Sequence, residues 1–142
     1  MLLSDLIAFI KKTQEDKSEK AFPWADESLG QYLSWAFSNN YLFLESDNNG
    51  ISGLTIAYPL PFGSDNTIKS VLPSHISISK ENEHLKEIAV MDTIFKTETA
   101  RIAITKKFME RFPNWENQKK VATRKSIVVT LPNKYFKLLL KI

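Results

Sequence analysis

The sequence contains no cysteine and only two histidines, and all four of its glycines lie within the first 63 residues. The lack of cysteine excludes a disulfide scaffold, a thiolate zinc site and a cysteine nucleophile. The second half of the chain has no glycine-rich, phosphate-cradling loop. His75 and His84 have no metal-ligand partner at helical or turn spacing, so the sequence favours no metal site. Each histidine remains only a minor candidate for a general base.

Long hydrophobic runs are also missing. The longest apolar stretches, Leu2–Ile10 and Tyr135–Ile142, are interrupted by polar residues and are too short to span a bilayer. The first residues lack the basic start and the small-residue cleavage site of a signal peptide. With 142 residues, 43% of them hydrophobic, we expect one globular domain over residues 1–142, residing in the cytoplasm.

Charge is distributed unevenly along the chain. After residue 100 there are eleven Lys or Arg and only two acidic residues, whereas the first hundred residues carry eight basic and fourteen acidic ones. One interpretation is two solvated faces of opposite sign that orient the domain or a neighbouring subunit. The other is an anion site for a phosphate-bearing cofactor, a nucleic acid or an acidic partner.

The first half of the sequence predicts two helices followed by a hairpin. Apolar residues at helical spacing predict helices over Leu2–Glu15 and Glu27–Ser38, the second capped by Asp26. The segments Tyr41–Glu45 and Ile51–Leu60 flank a strong turn signal at residues 47–50, which predicts two paired strands.

The second half predicts a strand, a helix and further strands. An extended segment comes first, and a final element suits either a helix or a strand. In order, these segments are Thr67–Ser79 (extended), Glu87–Phe95 (strand), Lys96–Thr99 (turn), Ala100–Phe112 (helix), Lys119–Leu131 (one strand or two paired strands) and Asn133–Ile142 (helix or strand). The whole order predicts an α/β or α+β fold with a sheet of about five to seven strands and helices on its faces.

The predicted start of the third helix is a candidate anion site. Lys96, Thr97, Thr99 and Arg101 lie there, where free N–H groups and the helix dipole favour negative charge. The alternative is ordinary capping, in which Thr97 caps the helix and Glu98 complements the dipole without any ligand.

Asp92 is the strongest catalytic candidate. It lies inside an otherwise apolar strand, where burying an unpaired carboxylate is costly. In a cleft, desolvation would raise its pKa and suit it to general-base work. The alternatives are that Asp92 faces solvent, or that it is a structural partner for Arg124 or Lys120.

A basic contact face is the third candidate. Trp115 follows Pro113 among polar and basic residues, and Lys119, Lys120 and Arg124 come soon after it. Basic side chains with an interleaved aromatic suit nucleic acid.

Several stretches resemble a known family. They are the segment Tyr32–Ser38 with the strand after it, the residues Asp92–Ile94, the basic helix ending in Phe112-Pro113, and Val121–Arg124. With the order of elements, these resemble the GNAT-like N-acyltransferase fold. They are most similar to the branch of toxin-activating lysine acyltransferases and related small phage-encoded proteins.

The resemblance implies a mixed, mostly antiparallel sheet with two N-terminal helices and one helix after the central strand. It implies an acyl-CoA or acyl-carrier-protein cofactor at Lys96, Thr97, Thr99 and Arg101, an acyl-acceptor protein, and Asp92 acting on an amine. It also implies that the strand after the helix splays away from the central strand to admit the acyl arm.

Two alternatives stay open. The first is a non-catalytic, virion-associated or interaction protein on the same fold, as a homo-oligomer or a subunit of an assembly with a viral or host partner. The second is a basic-faced nucleic-acid binder. A phage-encoded protein would reside in the host cytoplasm or in the virion.

Overall fold

The computed structural model describes residues 3–16, 26–67, 71, 78–124 and 127–141. Within these residues the chain forms four α-helices, five strands and two short 3₁₀ turns. The order is α1 (Leu3–Asp16), α2 (Asp26–Ser38), β1 (Leu42–Asp47), β2 (Gly50–Pro59), β3 (Ile88–Phe95), α3 (Glu98–Arg111), β4 (Lys120–Arg124), β5 (Ile127–Leu131) and α4 (Asn133–Leu139), with the 3₁₀ turns at Glu83–Leu85 and Trp115–Asn117.

The five strands form one mixed sheet in the order β1-β2-β3-β4-β5. Every neighbouring pair is antiparallel except β3 and β4, which are parallel and are joined through α3. A mostly antiparallel α+β sheet with two N-terminal helices and a helix after the central strand is therefore confirmed, and its five strands fall within the predicted range.

Helices pack on both faces of the sheet because successive strand residues point to opposite faces. On β2, the Tyr58 ring meets Trp35 of α2 edge-on at 5.5 Å between centroids. Gly53, on the opposite face, lies so close to α3 that a Cβ built on it would come within 2.7 Å of Ile104. Phe43 of β1 also faces α3 and contacts Phe108.

The first two helices pack against each other through the positions predicted from their periodicity. Ile10 of α1 and Leu29 and Leu33 of α2 are buried in the core. Helix α2 ends where predicted because Asn40 takes a left-handed conformation, with φ of +60°, which ends a helix cleanly. Helix α1 begins and ends one residue later than predicted, and α2 begins one residue earlier, so that Asp26, the predicted cap, is its first helical residue.

Helix α3 begins earlier than predicted. Thr97 is its N-cap and accepts a hydrogen bond from the Ala100 N–H, so the first helical residue is Glu98 rather than Ala100. The predicted four-residue turn is thus two residues, Lys96 and Thr97. The helix ends at Arg111, one residue before the predicted end at Phe112, and Pro113 follows directly after this cap residue.

The structure of the last forty residues decides two points that the sequence left open: the number of strands after α3 and the type of the final element. The region after α3 is a hairpin of two strands, β4 and β5. The final element is a helix, because Phe136 of α4 is buried between the rings of Phe108, at 5.1 Å, and Trp115, at 5.8 Å.

The predicted extended segment Thr67–Ser79 lies mostly outside the described residues. At Val71 the prediction is wrong, because the Val71 N–H bonds the Thr67 carbonyl four residues earlier, which is a helical contact. Val71 is buried, and its carbonyl accepts the Tyr58 hydroxyl at 2.6 Å. None of the described helices is long and apolar enough to cross a membrane.

Candidate functional site

A cleft opens where β3 and β4 separate. The two strands pair only at Ile88–Lys120 and Ala89–Val121, and they share no further ladder pairs within the described chain. Strand β4 stays paired with β5 as far as Arg124, so it leaves β3 instead of continuing beside it. The resulting cleft has a volume of about 100 Å³, and its wall includes Val90, Asp92, Thr93, Thr123 and Tyr135.

A β-bulge in β3 places Asp92 in this cleft. On the other side of β3, Leu54 pairs with Ile94 and Ile56 with Met91, so β3 has one residue more than β2 between these pairs. Asp92 takes up the extra length with a φ of +52°, in the left-handed region. Such a conformation is uncommon outside glycine and costs about 1 kcal/mol or more.

The Asp92 carboxylate is held from the α2 side of the sheet. The Tyr32 hydroxyl donates a hydrogen bond to Asp92 Oδ2 at 3.0 Å. Asp92 is half-buried, and burial raises the pKa of its carboxyl, while the Tyr32 bond acts in the opposite direction. The suggested Lys120 partnership is wrong, because that ammonium is bound elsewhere, and the Arg124 side chain lies outside the described residues.

Tyr32 remains a neutral donor at all ordinary pH values. Burial first, and then the nearby Asp92 charge, raise the pKa of Tyr32 well above its usual value. The sequence does not indicate this role for Tyr32, because Tyr32 occupies an apolar position of an amphipathic helix, which predicts only a core side chain. Only the fold shows that its hydroxyl reaches a strand sixty residues away.

The start of α3 brings the predicted anion-binding residues together, but it uses two of them internally. The Thr97 hydroxyl caps Ala100 at 3.0 Å, which is the capping alternative. Arg101 pairs with Glu98 at 3.4 Å and donates to the Lys141 carbonyl, tying the helix start to the end of the chain. Its Nε atom is buried and has no partner among the described residues.

Lys96 and Thr99 are exposed and, unlike Thr97 and Arg101, are not used in the cap or in the ion pair at the helix start. The Lys96 ammonium lies 4.9 Å from the centre of the Phe9 ring, a cation–π contact that leaves its N–H donors available. The N–H groups of Glu98 and Thr99 belong to the first helical turn, where no intrahelical acceptor exists. These donors fit an anionic group such as a phosphate, whereas the Glu98 carboxylate opposes it.

The predicted basic contact face is not assembled as expected. Trp115 and Lys120 are buried, with 8% and 2% of their surface exposed, so neither belongs to an exposed face. The Lys120 ammonium donates to the Trp115 carbonyl at 2.6 Å and to Asn133 Oδ1, and burial lowers its pKa. Lys119 is exposed and lies 3.9 Å from the Glu87 carboxylate.

The uneven charge of the sequence corresponds to contacts between its two parts. Among the described residues, three ion pairs join the acidic first part to the basic last part: Glu45–Lys107 at 2.8 Å, Glu83–Arg111 at 2.7 Å and Glu87–Lys119 at 3.9 Å. Arg111 also donates to the carbonyls of Asn39 and Asn40, at the end of α2. These contacts neutralise part of the charge imbalance within the fold.

The histidines do not contribute to the cleft wall in the described structure. His84 is exposed, and its carbonyl accepts a hydrogen bond from Asn114. His75 lies outside the described residues. The described part of the chain contains no cluster of three His, Asp or Glu side chains arranged to hold a metal ion.

Comparison of the chain with protein-family models, curated proteins and solved structures finds no match. The cleft combines a gap between parallel strands with a desolvated carboxylate at a bulge. The start of α3, with its exposed donors, follows the end of the same strand.

Proposed function

We propose that the protein is an N-acyltransferase of the GNAT-like kind, which uses an acyl-CoA or acyl-carrier thioester and acts at the Asp92 cleft. The observation that carries the proposal is the separation of β3 from β4 beside a half-buried carboxylate. A gap between two parallel strands admits a narrow, extended group to the middle of a sheet. Asp92 is the only charged side chain among the described residues that line the gap.

Asp92 acts on the amine of the acceptor. A carboxylate attracts a protonated amine, and its raised pKa makes it a better base near neutral pH than an exposed aspartate. When bound, an acyl thioester supplies an activated carbonyl carbon and a thiol leaving group. Asp92 would take the proton that the amine nitrogen gives up as it becomes an amide. That proton would then pass to the sulfur as the carbonyl–sulfur bond breaks, which gives the free thiol.

Lys96 and the first-turn N–H groups of Glu98 and Thr99 would hold the phosphates of the acyl carrier. Thr97 supports them indirectly, because its cap fixes the first turn of α3. Arg101 supports the same turn through its bond to the Lys141 carbonyl. Of the four residues predicted to bind the cofactor, Lys96 and Thr99 thus contribute hydrogen-bond donors. Thr97 and Arg101 stabilise the helix start.

A non-catalytic interaction subunit is the second candidate, and a separate surface favours it. Phe37 is 72% exposed beside a groove of about 320 Å³ between α1, α2 and β1, which Leu3 and Leu42 also line. An exposed aromatic side chain beside an apolar groove suits a protein contact. The nucleic-acid alternative has less support, because several of the cations it needs are paired with carboxylates.

The substitution Asp92→Asn tests the proposed reaction. We expect kcat for transfer from an acyl-CoA to a lysine-containing peptide to fall by about 10²- to 10⁴-fold, the usual contribution of a general base. Asparagine has the same shape and tolerates a positive φ, so the fold should remain. The assay is release of free thiol, with acetyl-CoA and a long-chain acyl-CoA as donors.

Asp47→Asn is the matched control. It makes the same chemical change at the end of β1, where Asp47 accepts the Asn49 N–H at 2.8 Å, and it should leave kcat unchanged. Full activity of Asp92→Asn, or no transfer by the wild-type protein from either donor, would contradict the proposal.

A further inference from the structure

We infer that Tyr32 is a positioning residue for Asp92. It holds carboxylate oxygen Oδ2, so that Oδ1 is the oxygen that accepts the amine proton in the cleft. This inference rests on the proposed function and deepens it. Tyr32 donates to Oδ2 at 3.0 Å, while Oδ1 has no hydrogen bond within the described structure. Because Asp92 lines the cleft, its second oxygen is the one available to an incoming amine.

The position of the Tyr32 hydroxyl is fixed by packing. Tyr32 is 1% exposed, and its ring stacks on Trp35 at 6.2 Å with 20° between the planes. Trp35 in turn contacts the rings of Tyr41 and Tyr58, both at 5.5 Å. A hydroxyl held by a buried ring cluster cannot follow a moving carboxylate, so the bond selects one orientation of Asp92.

Tyr32 also controls when Asp92 is ionised. A hydrogen bond to a carboxylate favours the charged form, whereas burial favours the neutral form. The groups that face Asp92 are Tyr32 from α2 and Tyr58 from β2, and burial raises the pKa of both hydroxyls, so both stay neutral at neutral pH. Tyr135 of α4 lines the same cleft. No described Lys, Arg or His side chain lines the cleft, so the Tyr32 bond is what opposes burial there.

The test is Tyr32→Phe, which removes the hydroxyl and keeps the ring. We expect the pKa of the Asp92 carboxyl, followed by carbon-13 NMR, to rise above the wild-type value. The acid limb of the kcat–pH profile should move to higher pH, and kcat at neutral pH should fall about tenfold, the scale of one hydrogen bond to a charged group. The KM for the acyl donor should stay the same.

The control is Tyr41→Phe, which removes a hydroxyl bonded to a different carboxylate, that of Glu83, at 2.8 Å. It should leave the Asp92 titration unchanged. An Asp92 pKa that is equal in Tyr32→Phe and wild type overturns the inference, whether or not transfer is detected. A raised pKa without any transfer by the wild type supports the Tyr32–Asp92 pairing and overturns the proposed function.

A second measurement needs no variant. In the wild-type protein, the Tyr32 hydroxyl proton should give a slowly exchanging NMR signal that moves as Asp92 is protonated, because that proton lies in the bond to Oδ2. A signal that does not respond to Asp92 overturns the inference even if Tyr32→Phe fails to fold.

Discussion

Asp92 differs from the other described non-glycine residues that have positive φ. The other three, Asn40, Asn66 and Asn82, lie outside the strands, and asparagine adopts the left-handed region more readily than most non-glycine residues. Asp92 adopts the conformation in the middle of the central strand. Strained backbone of this kind persists only where the surroundings hold it, and here the bulge and the Tyr32 hydroxyl do so.

The raised pKa of Asp92 predicts how stability depends on pH. Because the pKa of Asp92 is higher in the folded state than in the unfolded state, protonated Asp92 favours folding. This contribution is complete below the pKa of the unfolded state and is lost as the pH rises through the pKa of the folded state. Asp92→Asn does not titrate. We therefore expect the variant to gain stability relative to wild type at pH 7, and this advantage to shrink towards pH 4.

Urea unfolding of both proteins at the two pH values measures the effect, since other titrating groups cancel in the difference. The same stability difference at pH 4 and pH 7 would show that folding leaves the Asp92 pKa unchanged.

At the scale of elements, the sequence predicts the helices and hairpin well, because their signals are local. The periodicity of α1 and α2 and the turn at residues 47–50 depend only on neighbouring residues. The bulge in β3 and its separation from β4 depend on pairing between distant strands. The sequence therefore predicts that Asp92 lies in this strand, but it predicts neither the Tyr32 bond nor the burial of Lys120.

The N-cap of α3 predicts that Thr97 contributes to the stability of the fold. Thr97→Ala removes the hydroxyl that caps Ala100 and should lower the free energy of unfolding by about 1 kcal/mol, the usual effect of losing a cap. Thr99→Ala is the matched control, because Thr99 is exposed in the same turn and caps nothing in the described structure. Urea denaturation measures both; an equal or larger loss in Thr99→Ala would contradict the assigned cap.

At the scale of the whole molecule, the charge asymmetry is explained in part by pairing within the fold. The carboxylates of Glu45, Glu83 and Glu87 meet cations that follow residue 100. The sequence indicates the imbalance but not which charges are paired, because pairing depends on how α3 and β4 lie against the first half. Lys96, at the mouth of the proposed cofactor site, has its ammonium over an aromatic ring instead.

The central claim is that this fold binds an acyl thioester between β3, β4 and the start of α3. Calorimetric titration with acetyl-CoA and a long-chain acyl-CoA, at low and high salt, tests it most directly. We predict saturable binding that weakens as salt increases, and an affinity about tenfold lower in Lys96→Glu. Lys106→Glu, the same charge reversal at an exposed position further along α3, should bind as the wild type does. The absence of binding at millimolar ligand, or equal losses in both variants, would contradict the claim.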